Sequence, residues 1–356
     1  MLSHHKIIFE QNISLCLVTY NEAATLYTFF AALKRQSQIA FLKKCLIVDN
    51  GSSDDTMSVL LQIKTSFPVP IEIISNPINS IGLARRLSVE HSATDFVLFS
   101  DPDCHPHTTW IEELCQYWSQ LAPLNPNLAG VGGSNRLPNS GLFQQATNTM
   151  LSSFWGHGQS PQGWFPKNPQ TVDHLPTTNA LFLRDTIVKV GNFSPTFSQV
   201  CEDVDLGIRL KNANHELYLI PTFPISNASA TNYKNWAQRM KKFGAGQVLL
   251  SKIHSKPLRL TSLLSSIFCS GIVLSLLLSL LHWPFALIPI TYAIGISLLA
   301  LWISVKNRQI LLWPYLIKSF MITHFFYGWG VCSALIPKNS NVFKSSFSGK
   351  SPDLKI

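Results

Sequence analysis

Apolar residues in the first 110 positions fall into short dense blocks, separated by stretches with wider spacing. Ile13–Thr19, Cys45–Val48, Ile71–Ser75 and Phe96–Ser100 are compact and rich in β-branched or aromatic residues, the pattern of buried strands. Ala23–Gln36 and Ile81–His91 carry apolar residues at helical spacing. A further helix is expected after the turn Asp49-Asn-Gly-Ser-Ser-Asp-Asp-Thr56, with Ser52 or Ser53 as its cap and Asp54 and Asp55 in its first turn. Thr109 and Glu112 have capping-box spacing and open the next one. Four alternations of strand and helix predict a parallel sheet with helices on both faces.

Beyond Trp118 the pattern loosens. Ala129–Gly133, Thr178–Leu183 and Glu216–Ile220 read as strands, and Cys201–Leu210 as a helix with Glu202 and Asp203 at its start. Residues 140–175, rich in Gln, Asn, Gly, Pro and Trp, support no clear elements; such a segment beside a site often forms an acceptor pocket or lid. Asn232–Ser251 is amphipathic. Its stripe is Trp236, Met240, Phe243, Gln247 and Leu250, at 4-3-4-3 spacing, with Arg239, Lys241 and Lys242 off it. It reads as a helix on a membrane surface, with one of those three cations free to meet a diphosphate.

From Leu260 to Val305 there is no Lys, Arg, Asp or Glu over 46 residues. As helix that run is about 69 Å long, against a hydrocarbon core of about 30 Å, so it fits two crossings. His282-Trp-Pro284 marks the turn between them. A third apolar stretch, Ser319–Pro337, follows and is read as spanning or, in better accord with the charges, interfacial.

Only 13% of the 356 residues are charged and the net charge is +9. Residues 234–259 hold seven basic residues and no acid, which places the excess beside the apolar run, as on cytoplasmic flanks. Anionic membrane lipids are the expected partner for this charge, rather than nucleic acid. Seven cysteines, an odd number without C-x-x-C spacing, argue against a disulfide framework. Met1–Asn12 has no apolar core of a cleaved signal, so the first domain is expected in the cytosol.

Chemistry enters at strand ends. Phe96–Ser100 runs into Asp101-Pro-Asp103, and Pro102 ends the strand. Two carboxylates at the carboxyl end of a buried strand can converge on a hard cation, Mg²⁺ or Mn²⁺, that bridges to phosphates. The bland alternative is a pair of turn residues, and the chain has a second Asp-x-Asp at Asp203-Val-Asp205 with no strand before it. Asp49 ends another strand, where a carboxylate can accept from a ribose hydroxyl or a uracil N–H, or else cap a helix. Glu202 and Asp203 can serve chemistry or only complement the helix dipole.

Taken together, Thr19-Tyr-Asn-Glu22, Asp49–Thr56, Asp101-Pro-Asp103, Thr178-Asn179 and Glu202-Asp203-Val-Asp-Leu resemble glycosyltransferase family 2 over about residues 12–245. The apolar tail resembles that of bacterial succinoglycan-type exopolysaccharide glucosyltransferases. The resemblance implies an α/β fold of the GT-A type, a Rossmann-like mixed sheet, followed by C-terminal transmembrane helices. It implies an inverting transferase that moves one sugar from a nucleotide-diphospho-sugar, often UDP-linked, to a hydroxyl of a lipid-linked or glycan acceptor. Polyprenyl phosphate itself is the alternative acceptor, and a non-catalytic membrane scaffold the remaining one.

By the same resemblance Thr19, Asn21 and Glu22 line the nucleotide pocket, and Asp49 binds base or ribose. Asp101 and Asp103 hold ribose and metal, Arg85, Asn179, Glu202 and Arg239 belong to the donor site, and Asp203 is the general base. Arg86 stands where members often have Asn, only Gln238-Arg239-Met240 stands for a Gln-x-x-Arg-Trp motif, and Ser226-Asn227 stands near a usual His. The expected layout is a catalytic domain over 1–233, a basic helix over 234–259, a membrane region over 260–337 and a basic tail over 338–356. The expected location is a bacterial inner membrane, with the catalytic domain cytoplasmic.

Overall fold

The structure, a computed structural model, describes residues 9–157, 160–222, 225–228 and 230–336. The tail expected over 338–356 lies outside the described residues, as do residues 1–8 of the expected leaderless start. In chain order the elements are β1 (Ile13–Thr19), α1 (Ala23–Lys34), β2 (Leu42–Asp49), α2 (Thr56–Ser66), β3 (Ile71–Ser75), α3 (Ile81–Glu90) and β4 (Phe96–Ser100). Next come β5 (Cys104–His105), α4 (Trp110–Leu121), β6 (Leu128–Gly132), β7 (Asn135–Arg136), α5 (Leu142–Leu151) and α6 (Phe154–His157). They are followed by β8 (Gln170–Val172), β9 (Ala180–Leu183), α7 (Arg184–Lys189), α8 (Glu202–Asn212), β10 (Glu216–Leu219) and β11 (Ile225–Asn227). Four long helices end the described chain: α9 (Tyr233–Ile253), α10 (Leu260–Ser279), α11 (Leu287–Lys306) and α12 (Trp313–Leu335).

The chain divides into two compact units. The first holds the described residues up to Arg136 together with Phe165–Asn227; the second holds Leu137–Trp164 and the chain from Ala228 onward. Residues 137–164 thus leave the catalytic domain expected over 1–233 and join the helical unit.

In the first unit an eight-stranded sheet runs β3-β2-β1-β4-β9-β6-β10-β8. β1 pairs in parallel with β2 and β4, β2 with β3, and β6 with β10, while β9 runs antiparallel between β4 and β6. The sheet is therefore mixed beyond the four parallel strands that the alternation predicts. Period-2 alternation splits these strands between two cores. Leu15, Leu17, Ile47 and Leu98 face the layer of α1, α2 and α4, while Cys16, Leu46, Val97 and Phe99 face the opposite core with Phe182 and Leu206. Burial on both sides is why these strands read as unbroken apolar runs.

The order 3-2-1-4 reverses direction at β1, and ligands of open α/β sheets enter at such a reversal, outside the carboxyl ends of the strands. Thr19 pairs with Asp49, and Leu17 with Ser100, so the ends that carry Asp49 and Asp101 lie on one edge.

Two expected caps do not form. Thr109 is the N-cap of α4, but its hydroxyl donates to Glu113 and accepts from no backbone N–H of the helix, and Glu112 accepts from Ser37 and Gln116. Neither Ser52 nor Ser53 caps α2; both turn back toward Asp49 and Asn21. A short polar side chain takes whichever partner lies nearest, and here tertiary partners win over the helix end.

In the second unit α12 is the hub. Its Leu316, Phe320 and Val331 are fully buried, and it shares a core with Phe143 and Met150 of α5, Trp236 and Met240 of α9, and Ala300 of α11. The stripe of α9 expected on a membrane surface is thus covered largely by protein. The two backbones come very close: a Cβ on Gly244 would lie 2.1 Å from the Tyr327 carbonyl, and one on Gly330 would lie 2.1 Å from that of Lys241. Only glycine permits that approach. Trp236 Nε1 donates to Thr323 at 2.8 Å across the same seam.

Leu260–Ser279 and Trp283–Lys306 are the two described segments long and apolar enough to cross a membrane. Leu264, Ile267 and Leu277 of the first, and Ile294, Leu298 and Trp302 of the second, are exposed. The stretch from Ser319 onward, expected to span or to be interfacial, forms most of α12; Ser319, Phe320, Gly328, Gly330 and Val331 are buried, and Met321, Trp329 and Leu335 are exposed.

Candidate active site

The site is built on the carboxyl edge of β1, β2 and β4. Asp49 closes β2 and is buried. Its Oδ1 accepts from Thr19 (3.2 Å) and from the Ser52 hydroxyl (2.5 Å), and its Oδ2 accepts from the Ser52 amide (3.1 Å). These bonds fold the 50–55 turn over the strand ends. A carboxylate has roughly four lone-pair sites, so one remains for a ligand.

Asn21 has φ of +57°, a conformation that Asn tolerates better than most residues. It is locked there by its own N–H on Ser52 Oγ and by the Ser53 N–H on its Oδ1, at 2.9 and 2.8 Å. Glu22 accepts from the Thr25 hydroxyl at 2.5 Å. Burial raises its pKa, helped by the charges of Asp101 and Asp54 against the opposing Thr25 bond.

Asp101 follows β4 directly. Its Oδ1 receives Arg85 Nη2 at 2.9 Å, and Arg85 Nε reaches Glu202 Oε1 at 3.4 Å. Glu202 opens α8, is buried, and also accepts from Thr177 at 3.3 Å. Burial first, and then the charge of Asp203, push Glu202 up to about 7, while Arg85 draws it back down. Burial works against the Arg85 cation, but Asp101 and Glu202 more than offset it and raise its pKa.

Asp203, the next residue, is half-buried in the first turn of α8 and accepts from the Val204 N–H at 2.8 Å. Cys201, just before, has φ of +69° and turns the chain sharply into the helix. Asp205 has a different fate: it is buried and ion-paired to Arg209 at 2.6 Å, four residues along. The second Asp-x-Asp therefore leaves Asp203 half-buried at the start of α8 and commits Asp205 to an ion pair along the helix.

Asp103 accepts from Asn227 Nδ2 at 3.0 Å. Asn227 is buried on β11, which pairs antiparallel with β5, so a strand more than a hundred residues away orients this acid. Asn227 stands near the position where a His is usual in the family that the sequence resembles. Its amide donates a hydrogen bond to the carboxylate.

Among the described residues no group of three or more His, Cys, Asp or Glu is gathered to hold a metal. Two carboxylates on one turn remain a hard oxygen donor set, and Mg²⁺ is commonly bound by one or two carboxylates plus substrate phosphates. The residues present fit an ion shared with a diphosphate better than one caged by protein alone.

Two further residues expected at the donor site have protein partners of their own. Asn179 has no exposed surface, and both ends of its amide are engaged, by Trp110 Nε1 at 2.8 Å and the Ser134 carbonyl at 3.1 Å. These bonds tie the start of β9 to α4. Arg239 belongs to the helical unit, where its guanidinium lies 5.1 Å from the centre of the Phe243 ring. The turn serines, Thr177 and Asn227 were not singled out as site residues by the sequence; Asn227 alone left a signal, as the residue near an absent His.

Residues 14–190 match the sequence profile of Glycosyl transferase family 2. The chain carries a glycosyltransferase domain. Its unit of β1–β11 is a GT-A fold, and a second profile, Glycosyl transferase family group 2, matches residues 143–306. Glycosyltransferase AglE of Haloferax volcanii is 30% identical over 100 residues, which cover 28% of this chain and 33% of that protein. Pre-mycofactocin glycosyltransferase of Mycobacterium tuberculosis is 27% identical over 221 residues, covering 59% of this chain and 43% of that protein. The chain thus spans less than half the length of these two relatives. Among solved structures, the mannosyltransferase PcManGT from Pyrobaculum calidifontis, in complex with GDP-Man and Mn²⁺, superposes with a TM-score of 0.56. It is 14% identical, over 88% of this chain and 86% of that one, a likeness of fold.

Proposed function

We propose that this chain moves one sugar from a nucleotide-diphospho-sugar to a hydroxyl of a lipid-linked acceptor, with inversion at the anomeric carbon. One observation carries the reading. Asp101 and the Glu202–Asp203 pair, about a hundred residues apart, are drawn together through Arg85 at the carboxyl edge of the sheet. A convergent set of acids there, with one left half-exposed, suits a displacement in which an acceptor must lose a proton.

In this reading Asn21 and Glu22, with the Asp49 turn, line the nucleotide side. Asp101 and Asp103 hold a divalent ion, Mg²⁺ or Mn²⁺, whose chemistry is to offset charge on the departing diphosphate. Asp203 takes the proton of the acceptor hydroxyl as that oxygen attacks. It stands in the first turn of α8, where the helix dipole favours negative charge. One base suffices for a single in-line displacement, unlike hydrolysis of a glycoside, which uses two carboxylates.

The exposed apolar faces of α10 and α11 support anchoring by two membrane crossings, with the basic residues before Leu260 on the cytoplasmic side. A site tethered to a bilayer favours an acceptor carried on lipid. The test is a donor screen on membranes holding the full chain, reading released nucleoside diphosphate. Release from at least one donor, abolished in Asp203→Asn, is expected. Release that survives Asp203→Asn points to an acceptor already anionic, such as a polyprenyl phosphate; no release from any donor refutes the reading.

A further inference from the structure

Arg85 does not sit where a donor-binding residue should. Its side chain is 1% exposed, beneath the site and not in it. One face lies 5.6 Å from the centre of the Phe99 ring, on the strand that ends at Asp101. The edge of the guanidinium divides between two acids of different motifs: Nη2 meets Asp101 at 2.9 Å and Nε meets Glu202 at 3.4 Å. The third nitrogen, Nη1, is buried and has no partner among the described residues, so these two acids account for its ion pairing.

Guanidinium is planar and rigid, and its donors leave at fixed angles. Two carboxylates held by one such group have a fixed separation. Asp101 is anchored to the end of β4. Glu202 is the first residue of α8 and precedes Asp203 directly, so pinning it pins the turn from which Asp203 projects. The charges need this pin. Asp101 acts on both Glu22 and Glu202, and Asp203 acts on Glu202, all in the direction of repulsion. Arg85 is the cation whose ion pairs reach into this group.

We infer that Arg85 is a positioning residue: it touches neither donor nor acceptor, and it sets the distance between the donor-holding Asp101 and the base Asp203. The inference rests on the proposed function. Its prediction follows from geometry. Without the pin each half of the site still binds its own ligand, but the two halves lose their alignment, and a misplacement of about 1 Å at a reacting centre can cost ~10²-fold in rate.

The experiment uses the full chain in detergent or native membranes, with kcat and donor KM measured for wild type, Arg85→Lys, Arg85→Gln and the double variant Arg85→Gln/Glu202→Gln. Arg85→Gln should lose ~10²-fold in kcat with donor KM changed by less than about threefold. Arg85→Lys, which keeps the charge but not the fork, should recover part of that loss. The double variant removes the uncompensated buried acid and should regain thermal stability without regaining kcat. Three results overturn the inference: a folded Arg85→Gln with wild-type kcat, a large rise in KM at unchanged kcat, which marks a direct donor contact, or full recovery of kcat in the double variant. Wild-type turnover separates this failure from that of the function reading, which falls only if wild type itself transfers nothing.

Discussion

Gly207 lies one turn beyond Asp203 in α8, and a single methyl group there tests how tightly the position of that acid is held. A Cβ added to Gly207 would lie 2.2 Å from the Asp173 carbonyl oxygen, and 2.8 and 2.9 Å from Cβ and Cα of His174. Real Cβ contacts essentially never fall below 3.0 Å, so α8 or the 173–174 backbone must give by at least 0.8 Å. Neither is the end of a flexible side chain. Overpacking of this kind costs about 1–3 kcal/mol. The better helix propensity of Ala returns only about 0.5–1 kcal/mol of that. Gly207→Ala is therefore expected to lower the melting temperature by a few degrees and to tilt the first turn of α8. A displacement near 1 Å at Asp203 implies a loss of ~10- to 10²-fold in kcat, larger than any change in donor KM. Thermal unfolding and steady-state transfer on the same preparation read both effects. A variant as stable and as active as wild type refutes the claim that α8 is seated against rigid backbone to aim Asp203.

Two other expectations concern charge and packing. Glu202 has a folded pKa raised to about 7, so it favours its protonated form; its contribution to stability is full below about pH 4.5 and is lost as pH rises through about 7. Glu202→Gln should flatten the fall in melting temperature across that window, whereas parallel curves contradict it. In the helical unit, Gly244→Ala should destabilise by about 1–3 kcal/mol in detergent, because its Cβ meets the Tyr327 carbonyl at 2.1 Å. Gly271→Ala, with nothing within 4 Å, should shift the melting temperature upward or hardly at all; equal losses in both contradict the close approach of α9 and α12.

The alternation of β1 to β4 with their helices was readable because strands buried on both faces cannot hide a polar residue, so each leaves an apolar block of the right length. Asp49 and Asp101 were readable for the same reason: a strand end followed by an acid is a local signal. What escaped depended on distant partners. Arg85 meets acids 16 and 117 residues away, and no window of sequence shows that its guanidinium points beneath the site. Asn179 entered the expected donor site only through the family resemblance, and no local pattern shows that the Trp110 indole reaches it across 69 residues. Within residues 140–175, which gave no clear elements, the apolar Phe143, Ala146 and Met150 find their partners on α12. The serine caps failed where two local hydrogen-bond patterns competed and tertiary structure chose between them.

The central claim is that Asp103, with Asp101, holds an ion that the donor diphosphate shares. Calorimetric titration of UDP and of GDP into the full chain tests it most directly, with Mn²⁺, with chelator, and in Asp103→Asn. The account predicts binding of at least one nucleotide that needs Mn²⁺ and disappears in the variant. Binding of equal strength in chelator, or in Asp103→Asn with Mn²⁺ present, contradicts it.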